Sequence, residues 1–163
     1  RRTPILEDAR QHSPYRQRMC KTVKRHRVYR IVATKNFETV DGRIVEKGEP
    51  GGWIESALNL SQDGRCWIDD DAVVFGNGGV TDNALVADEV MCEGILQDNA
   101  IARGKACIED GAICRDNTLV CDNALVKENA IVMDNATVAE DAIVCKNAVI
   151  GDDAYYTSRF TKL

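Results

Sequence analysis

The chain has 163 residues, of which 44% are hydrophobic but only 6% aromatic, and its formal net charge is −5. That length suits one compact domain plus a tail, and so few rings exclude a core built on large aromatics. No run approaches the roughly eighteen apolar residues of a membrane span, and no apolar leader follows Arg1, so no membrane partner is expected.

Charge divides the chain. Residues 1–30 hold ten Lys/Arg against Glu7 and Asp8, whereas the remainder holds 11 basic and 24 acidic residues. Residues 1–27 read as a flexible basic arm, polar and without apolar periodicity. Arg16, Arg18, Lys21, Lys24, Arg25 and Arg27 are its candidate contacts to nucleic acid or another anion, since clustered cations neutralise phosphates. The bland alternative is an arm lying along the acidic part of its own or a neighbouring chain.

Residues 28–65 read as a small N-terminal β cap. Val28 to Val32 alternates, and Asp41-Gly42, flanked by Glu38-Thr39-Val40 and Arg43-Ile44-Val45, is a two-residue hairpin signal. Glu49-Pro50-Gly51-Gly52 reads as a turn. Trp53 and Trp67 are expected to close the open first coil, whose edge would otherwise expose unpaired backbone.

From Cys66 a six-residue period takes over, and from Ala100 to Asp153 it is unbroken: AIARGK, ACIEDG, AICRDN, TLVCDN, ALVKEN, AIVMDN, ATVAED, AIVCKN, AVIGDD. Such self-similarity sets the architecture before local propensity does. Each unit reads as a short strand, small-apolar-apolar-variable, followed by a two-residue corner. Alternate strand side chains face opposite ways. Because fourth positions include Arg103, Glu109, Arg115 and Lys127, the first and third positions must face inward; buried unpaired charges would be too costly. Corners such as Asp116-Asn117 and Asp134-Asn135 tolerate left-handed backbone, and their side chains are expected to bond their own backbone. The register slips once, Gly94 following Val90 after four residues, so one corner must be tightened there. Residues 66–157 are the expected solenoid, with 158–163 as a tail in which Tyr155, Tyr156 and Phe160 either cap the last coil or meet another molecule.

These units resemble the hexapeptide repeat of left-handed parallel β-helices. The segments GGWIES (Gly51 to Ser56) and LSQDGRCWIDDDAVVFGN (Leu60 to Asn77) are similar to the entry of a poorly characterised group of bacterial and phage β-helix proteins that carry a transferase label. The resemblance implies an all-β fold, a single-stranded left-handed parallel β-helix of triangular coils, each made of three hexads. Counted from Cys66 there are about five, on the order of 25 Å tall at the ordinary strand spacing.

Resemblance also suggests an activity to weigh. Enzymes of this fold are chiefly acyltransferases using acyl-CoA or acyl-carrier donors, with a His base near a subunit cleft. Here His12 and His26 are the only histidines, both in the basic arm, and the repeat leaves no long catalytic loop. A metal site of the carbonic-anhydrase kind would need three His on the coils. No catalytic, metal or cofactor residue is therefore assigned, and no cofactor is expected. Nor does a P-loop, GxGxxG or GxSxG motif occur.

The second position of each unit faces outward and is nevertheless apolar: Leu85, Ile95, Ile101, Ile113, Leu119, Leu125, Ile131, Ile143, Val149, Tyr155. Residues eighteen apart stack into three ladders, Ile101-Leu119-Thr137-Tyr155, Cys107-Leu125-Ile143 and Ile113-Ile131-Val149. Exposed apolar strips of this kind mark association surfaces. The expectation is a non-enzymatic scaffold, forming a homo-oligomer or meeting another protein through these faces. An acyltransferase-like enzyme and a nucleic-acid-binding module are the alternatives. Seven cysteines without a CxxC pair read as small hydrophobes in a reducing, cytoplasmic setting, with Cys66, Cys92 and Cys114 inward and Cys107, Cys121 and Cys145 outward.

Overall fold

The computed structural model describes the backbone over residues 20–161 and side chains over residues 23–158. The chain is nearly all β and winds as a parallel β-solenoid of about six turns. It enters through strand β1 (Cys20–Val23), antiparallel to β2 (His26–Val32), with Lys24 and Arg25 in left-handed conformations (φ 47° and 70°) between the paired Val23 and His26. Residues 20–27, expected in a flexible arm, thus form a tight hairpin.

A second hairpin joins β3 (Phe37–Glu38) to β4 (Ile44–Val45). Its reversal is centred on Val40-Asp41, because the Gly42 amide donates to the Thr39 carbonyl at 2.9 Å and Gly42 follows with φ 90°. Asp41-Gly42 is therefore not a two-residue turn but the end of a longer one that closes on a left-handed glycine.

Strand β5 (Pro50–Ile54) replaces the turn expected at Pro50-Gly51-Gly52. Its glycines serve close packing: a Cβ on Gly51 would sit 2.5 Å from Trp67 Cζ2, and one on Gly52 2.5 Å from Ile68 Cγ2. Pro50 opens the strand, where its missing N–H does least harm. Because β5 pairs in parallel with the rung Val73–Val74 (Trp53↔Val73, Ile54↔Val74), the winding begins before Cys66, which accounts for about six turns rather than five.

Three sheets make the walls. The first face stacks β1, β2, β5 and the rungs Val73–Val74, Met91–Cys92, Cys107–Ile108, Leu125–Val126, Ile143–Cys145 and Arg159–Thr161. The second holds Gly79–Val80, Ile95–Leu96, Ile113–Cys114, Ile131–Val132 and Val149–Ile150; the third holds Trp67–Ile68, Leu85–Val86, Ile101–Ala102, Leu119–Val120, Thr137–Val138 and Tyr155–Tyr156. Arg159–Thr161 continues the first face beside Ile143–Cys145, so part of the expected tail is another rung.

Inside lie the small and β-branched residues of the first and third positions. Ala100, Ala112, Ala124, Ala130, Val120, Val126, Val132 and Val144 are all completely buried. A core this narrow accepts an alanine row opposite a valine row and little more. Ile31, Val45, Ile54 and Leu60 join it at the N-terminal end. Trp67 and Trp53, expected over that opening, are instead on the outer walls: Trp67 meets Phe37 edge-on at 5.3 Å, and Trp53 packs with Val28, Val73 and Phe75 beneath the Arg30 guanidinium.

Corners are tied from turn to turn rather than to themselves. Between the second and third faces, the Asp98 amide donates to the Asp82 carboxylate (3.1 Å), Asp116 to Asp98 (3.1 Å), Asp134 to Asp116 (2.9 Å) and Asp152 to Asp134 (2.8 Å). Beside them an amide ladder runs from Asn83 through Asn99, Asn117 and Asn135 to Asp153. Parallel stacking brings the N–H one turn on closer to each carboxylate than the residue's own backbone offers, and the aspartates themselves hold the left-handed corners, with φ from 55° to 60°.

The tightened corner lies where the register slips. Met91–Cys92 and Ile95–Leu96 start four residues apart, so Ile95 stacks under Gly79, sixteen residues earlier, and the next turn returns to eighteen. A Cβ on Gly94 would meet Ile108 Cγ2 at 2.6 Å and the Ala112 carbonyl oxygen at 2.7 Å. Across the missing corner, Asn77 Nδ2 reaches Asp110 at 3.3 Å.

Candidate interaction surface

Outward second positions stack as expected: Ile101↔Leu119, Leu119↔Thr137, Thr137↔Tyr155 on the third face, Cys107↔Leu125 and Leu125↔Ile143 on the first, Ile95↔Ile113, Ile113↔Ile131 and Ile131↔Val149 on the second. Ile95, Ile101, Ile113, Leu119, Leu125, Ile131 and Ile143 are half-buried, each shaded by its ladder neighbours, while Val149 and Tyr155 are 51% and 68% exposed. Leu85 departs from the expected surface, being only 3% exposed.

The cause is the pair of N-terminal hairpins. On the third face β3 and β4 lie against Trp67, and Arg103 anchors the hairpin tip by donating to Asp41 at 2.9 Å. Phe37, Val40 and Ile101 pack there with the core cluster that contains Trp67 and Leu85. Burial alone would raise the Asp41 pKa, but the Thr39 hydroxyl and the Arg103 guanidinium outweigh it and hold that carboxyl below the usual range.

On the first face the β1–β2 hairpin shields Trp53, Val73 and Phe75, with Val23 and Met91 at the margin. His26 Nδ1 lies 2.9 Å from Glu55, its ring 5.0 Å from Phe75, and the Gly76 amide also donates to Glu55 at 2.8 Å. The hydrogen bond from His26, then the one from Gly76, keep the Glu55 carboxyl below its ordinary value. His26 therefore clasps the hairpin to the coil. Lys24, at the hairpin turn, is near enough for its charge to act on the Cys107 thiol.

Only the second face carries no such cover among the described residues. Ile95, Ile113, Ile131 and Val149 run down it without interruption, with Gly79 at the top and Gln97, Arg115, Met133 and Gly151 as the adjoining outward row. Arg115 Nη2 rests 3.6 Å from Met133 Sδ, so the cation lies along the strip instead of blocking it.

No family model matches the chain, and no curated protein matches it. Of the basic candidates, Arg16 and Arg18 lie outside the described residues; Lys21 is on β1, Lys24 and Arg25 form the hairpin turn, and Arg27 is exposed on β2. A surface hollow of about 400 Å³ opens at the corner between the third and first faces, lined by Asp70, Asp71, Asp88, Glu89, Gly104 and Lys105. Burial, then the neighbouring Asp69 charge, raise the pKa of Asp70 there.

Among the described residues no group of three His, Cys, Asp or Glu is arranged to hold a metal ion, and no helix is long and apolar enough to cross a membrane. Cys66, Cys92 and Cys114 face inward; burial pushes the first two thiols up to about 12 and raises the third as well. Cys107 and Cys121 are half-buried on the outside; Cys145, on the same outward side of its strand as Ile143, is 4% exposed, with Thr161 paired beside it.

Proposed function

We propose that the protein is a non-enzymatic scaffold that associates with copies of itself through the second face of the solenoid. The observation that carries this reading is the Ile95-Ile113-Ile131-Val149 ladder, uncovered among the described residues, on a molecule that covers the N-terminal halves of its other two apolar faces with its own hairpins. Flat faces of identical composition fit one another without a second gene product. Four rungs at the ordinary strand spacing make a strip about 15 Å long. Two such strips bury less than the roughly 1,200 Å² of a standard interface, so the association is weak and depends on concentration.

The six-residue recurrence of the rungs supports placing the chain with the left-handed hexapeptide-repeat helices. Six cysteines free of disulfides among the described residues support a reducing compartment, which we take to be the cytoplasm.

Light scattering on a concentration series tests the proposal. Wild type rises in mean mass with concentration, and Ile113→Lys/Ile131→Lys rises markedly less at every concentration with an unchanged circular dichroism spectrum, both side chains being outward. A wild type that is monomeric throughout refutes it.

A further inference from the structure

The chain has three methionines, Met19, Met91 and Met133. Met19 lies outside the described residues, and Met91 sits at the margin of the cluster that the β1–β2 hairpin shields. Met133 stands on the second face, two residues after Ile131 and on the same outward side of the chain, half-buried. Its amide donates to the Ile150 carbonyl at 2.9 Å, so Gly151 of the next turn lies beneath it. A Cβ on Gly151 would come 3.3 Å from Met133 Cγ, and glycine brings no side chain to cover the thioether from that side.

From the turn before, Arg115 reaches over Met133, with Nη2 3.6 Å from Sδ. A thioether is a weak acceptor, and this guanidinium has little better. Its Nε is buried without a hydrogen-bond partner among the described residues. The Asp116 carboxylate is 3.8 Å away and already accepts from the Asp134 amide at 2.9 Å. An under-used donor thus faces the sulfur in the middle of the apolar strip.

We propose that Met133 is a site of reversible oxidation by hydrogen peroxide, and that its sulfoxide turns off association through the second face; the second half rests on the lateral reading above. A sulfur lone pair attacks one peroxide oxygen, so that the S–O bond forms as the O–O bond breaks. The proton on the transferred oxygen goes to the departing hydroxide, which leaves as water; sulfur loses two electrons and the peroxide gains them. An oxygen added on the side facing Arg115 comes within hydrogen-bond reach of Nη2, and a strong acceptor replaces a weak one. The product holds a dipole and its cation between Ile113 and Ile131. A partner face of isoleucine and valine offers neither donor nor acceptor in return for their lost water.

Hydrogen peroxide applied to the full chain, followed by peptide mapping in the mass spectrometer and by light scattering over a concentration series, tests both halves. Met133 gains its oxygen ahead of Met91, and the oxidised chain needs roughly tenfold more protein to reach the same mean mass, two sulfoxides entering each pair. A methionine sulfoxide reductase with a thiol reductant restores the original curve. Met133→Leu, of similar volume, associates as wild type does and is indifferent to peroxide, which separates the thioether from the half-buried Cys107 and Cys121. Three results overturn the inference and spare the lateral reading: Met91 oxidised first, an associating wild type whose mean mass peroxide leaves unchanged, or a Met133→Leu variant as sensitive as wild type. A wild type that is monomeric before any peroxide is added removes the lateral reading, and the control of association with it.

Discussion

Adding one methyl group at Gly94 tests whether the short turn is as tightly closed as the geometry requires. In Gly94→Ala the new Cβ meets Ile108 Cγ2 at 2.6 Å and the carbonyl oxygens of Ala112 and Glu109 at 2.7 and 2.9 Å. The isoleucine methyl can give way, but the Ala112 carbonyl accepts from the Ile95 amide (2.9 Å) and the Glu109 carbonyl from the Ala112 amide (3.1 Å), and neither can move without straining those bonds. Overpacking of this kind costs about 1–3 kcal/mol, and two backbone contacts place this site at the upper end. At about 2–4 °C per kcal/mol for a domain of this size, the melting temperature falls by roughly 6–12 °C.

Gly79→Ala is the control. Its Cβ points outward and touches only Ile95 Cδ1, at 3.2 Å, the mobile end of a side chain. Reduced freedom of the unfolded chain then offsets the contact, and the change is neutral or stabilising by up to about 1 kcal/mol. Thermal unfolding followed by circular dichroism at 218 nm, or about that wavelength, reads both variants. If Gly94→Ala melts within about 1 °C of wild type, or Gly79→Ala falls as far, the packing argument for the sixteen-residue turn is wrong.

Acid should release the hairpins before it unwinds the coils. Asp41 and Glu55 have lowered pKa values in the fold, so their contribution is present above the ordinary carboxylate values of 3.8 and 4.5 and is lost as pH falls through the lower folded ones. The only two tryptophans, Trp53 and Trp67, lie under the hairpins, so their fluorescence shifts in that window while the β circular dichroism persists; coincident transitions contradict the expectation. Thiol labelling at about pH 8, mapped by mass spectrometry, leaves Cys66, Cys92 and Cys114 unmodified until the chain unfolds, since all three are buried with raised pKa values. Native labelling of any of them would place it on the wrong side of the wall.

Much of this architecture is legible in the order of residues, because a strict period leaves few choices. Charges at fourth positions such as Arg103, Glu109 and Lys127 cannot enter a narrow core, so alanine and valine must, and stacking of second positions follows from the turn length. Gly94 likewise announces the short turn by its spacing from Val90. The β3–β4 hairpin also declared itself, through Asp41-Gly42, though not the length of its turn, whereas the β1–β2 hairpin did not. Lys24-Arg25 carries none of the usual turn chemistry, yet pairing of Val23 with His26 forces both residues into left-handed backbone. Pro50-Gly51-Gly52 reads locally as a turn, and only the nearness of Trp67 and Ile68 shows why glycine is needed in a strand there.

Sequence alone determined the solenoid and which side chains line it, since a six-residue period acts between neighbouring rungs and repeats down the axis. Which outer face stays open was decided by contacts over long separations: Phe37 on Trp67, Arg103 with Asp41, His26 with Glu55. No local pattern encodes those meetings. They depend on where the N-terminal segments come to rest on the finished walls, and among the described residues that placement leaves the Ile95-Ile113-Ile131-Val149 strip uncovered.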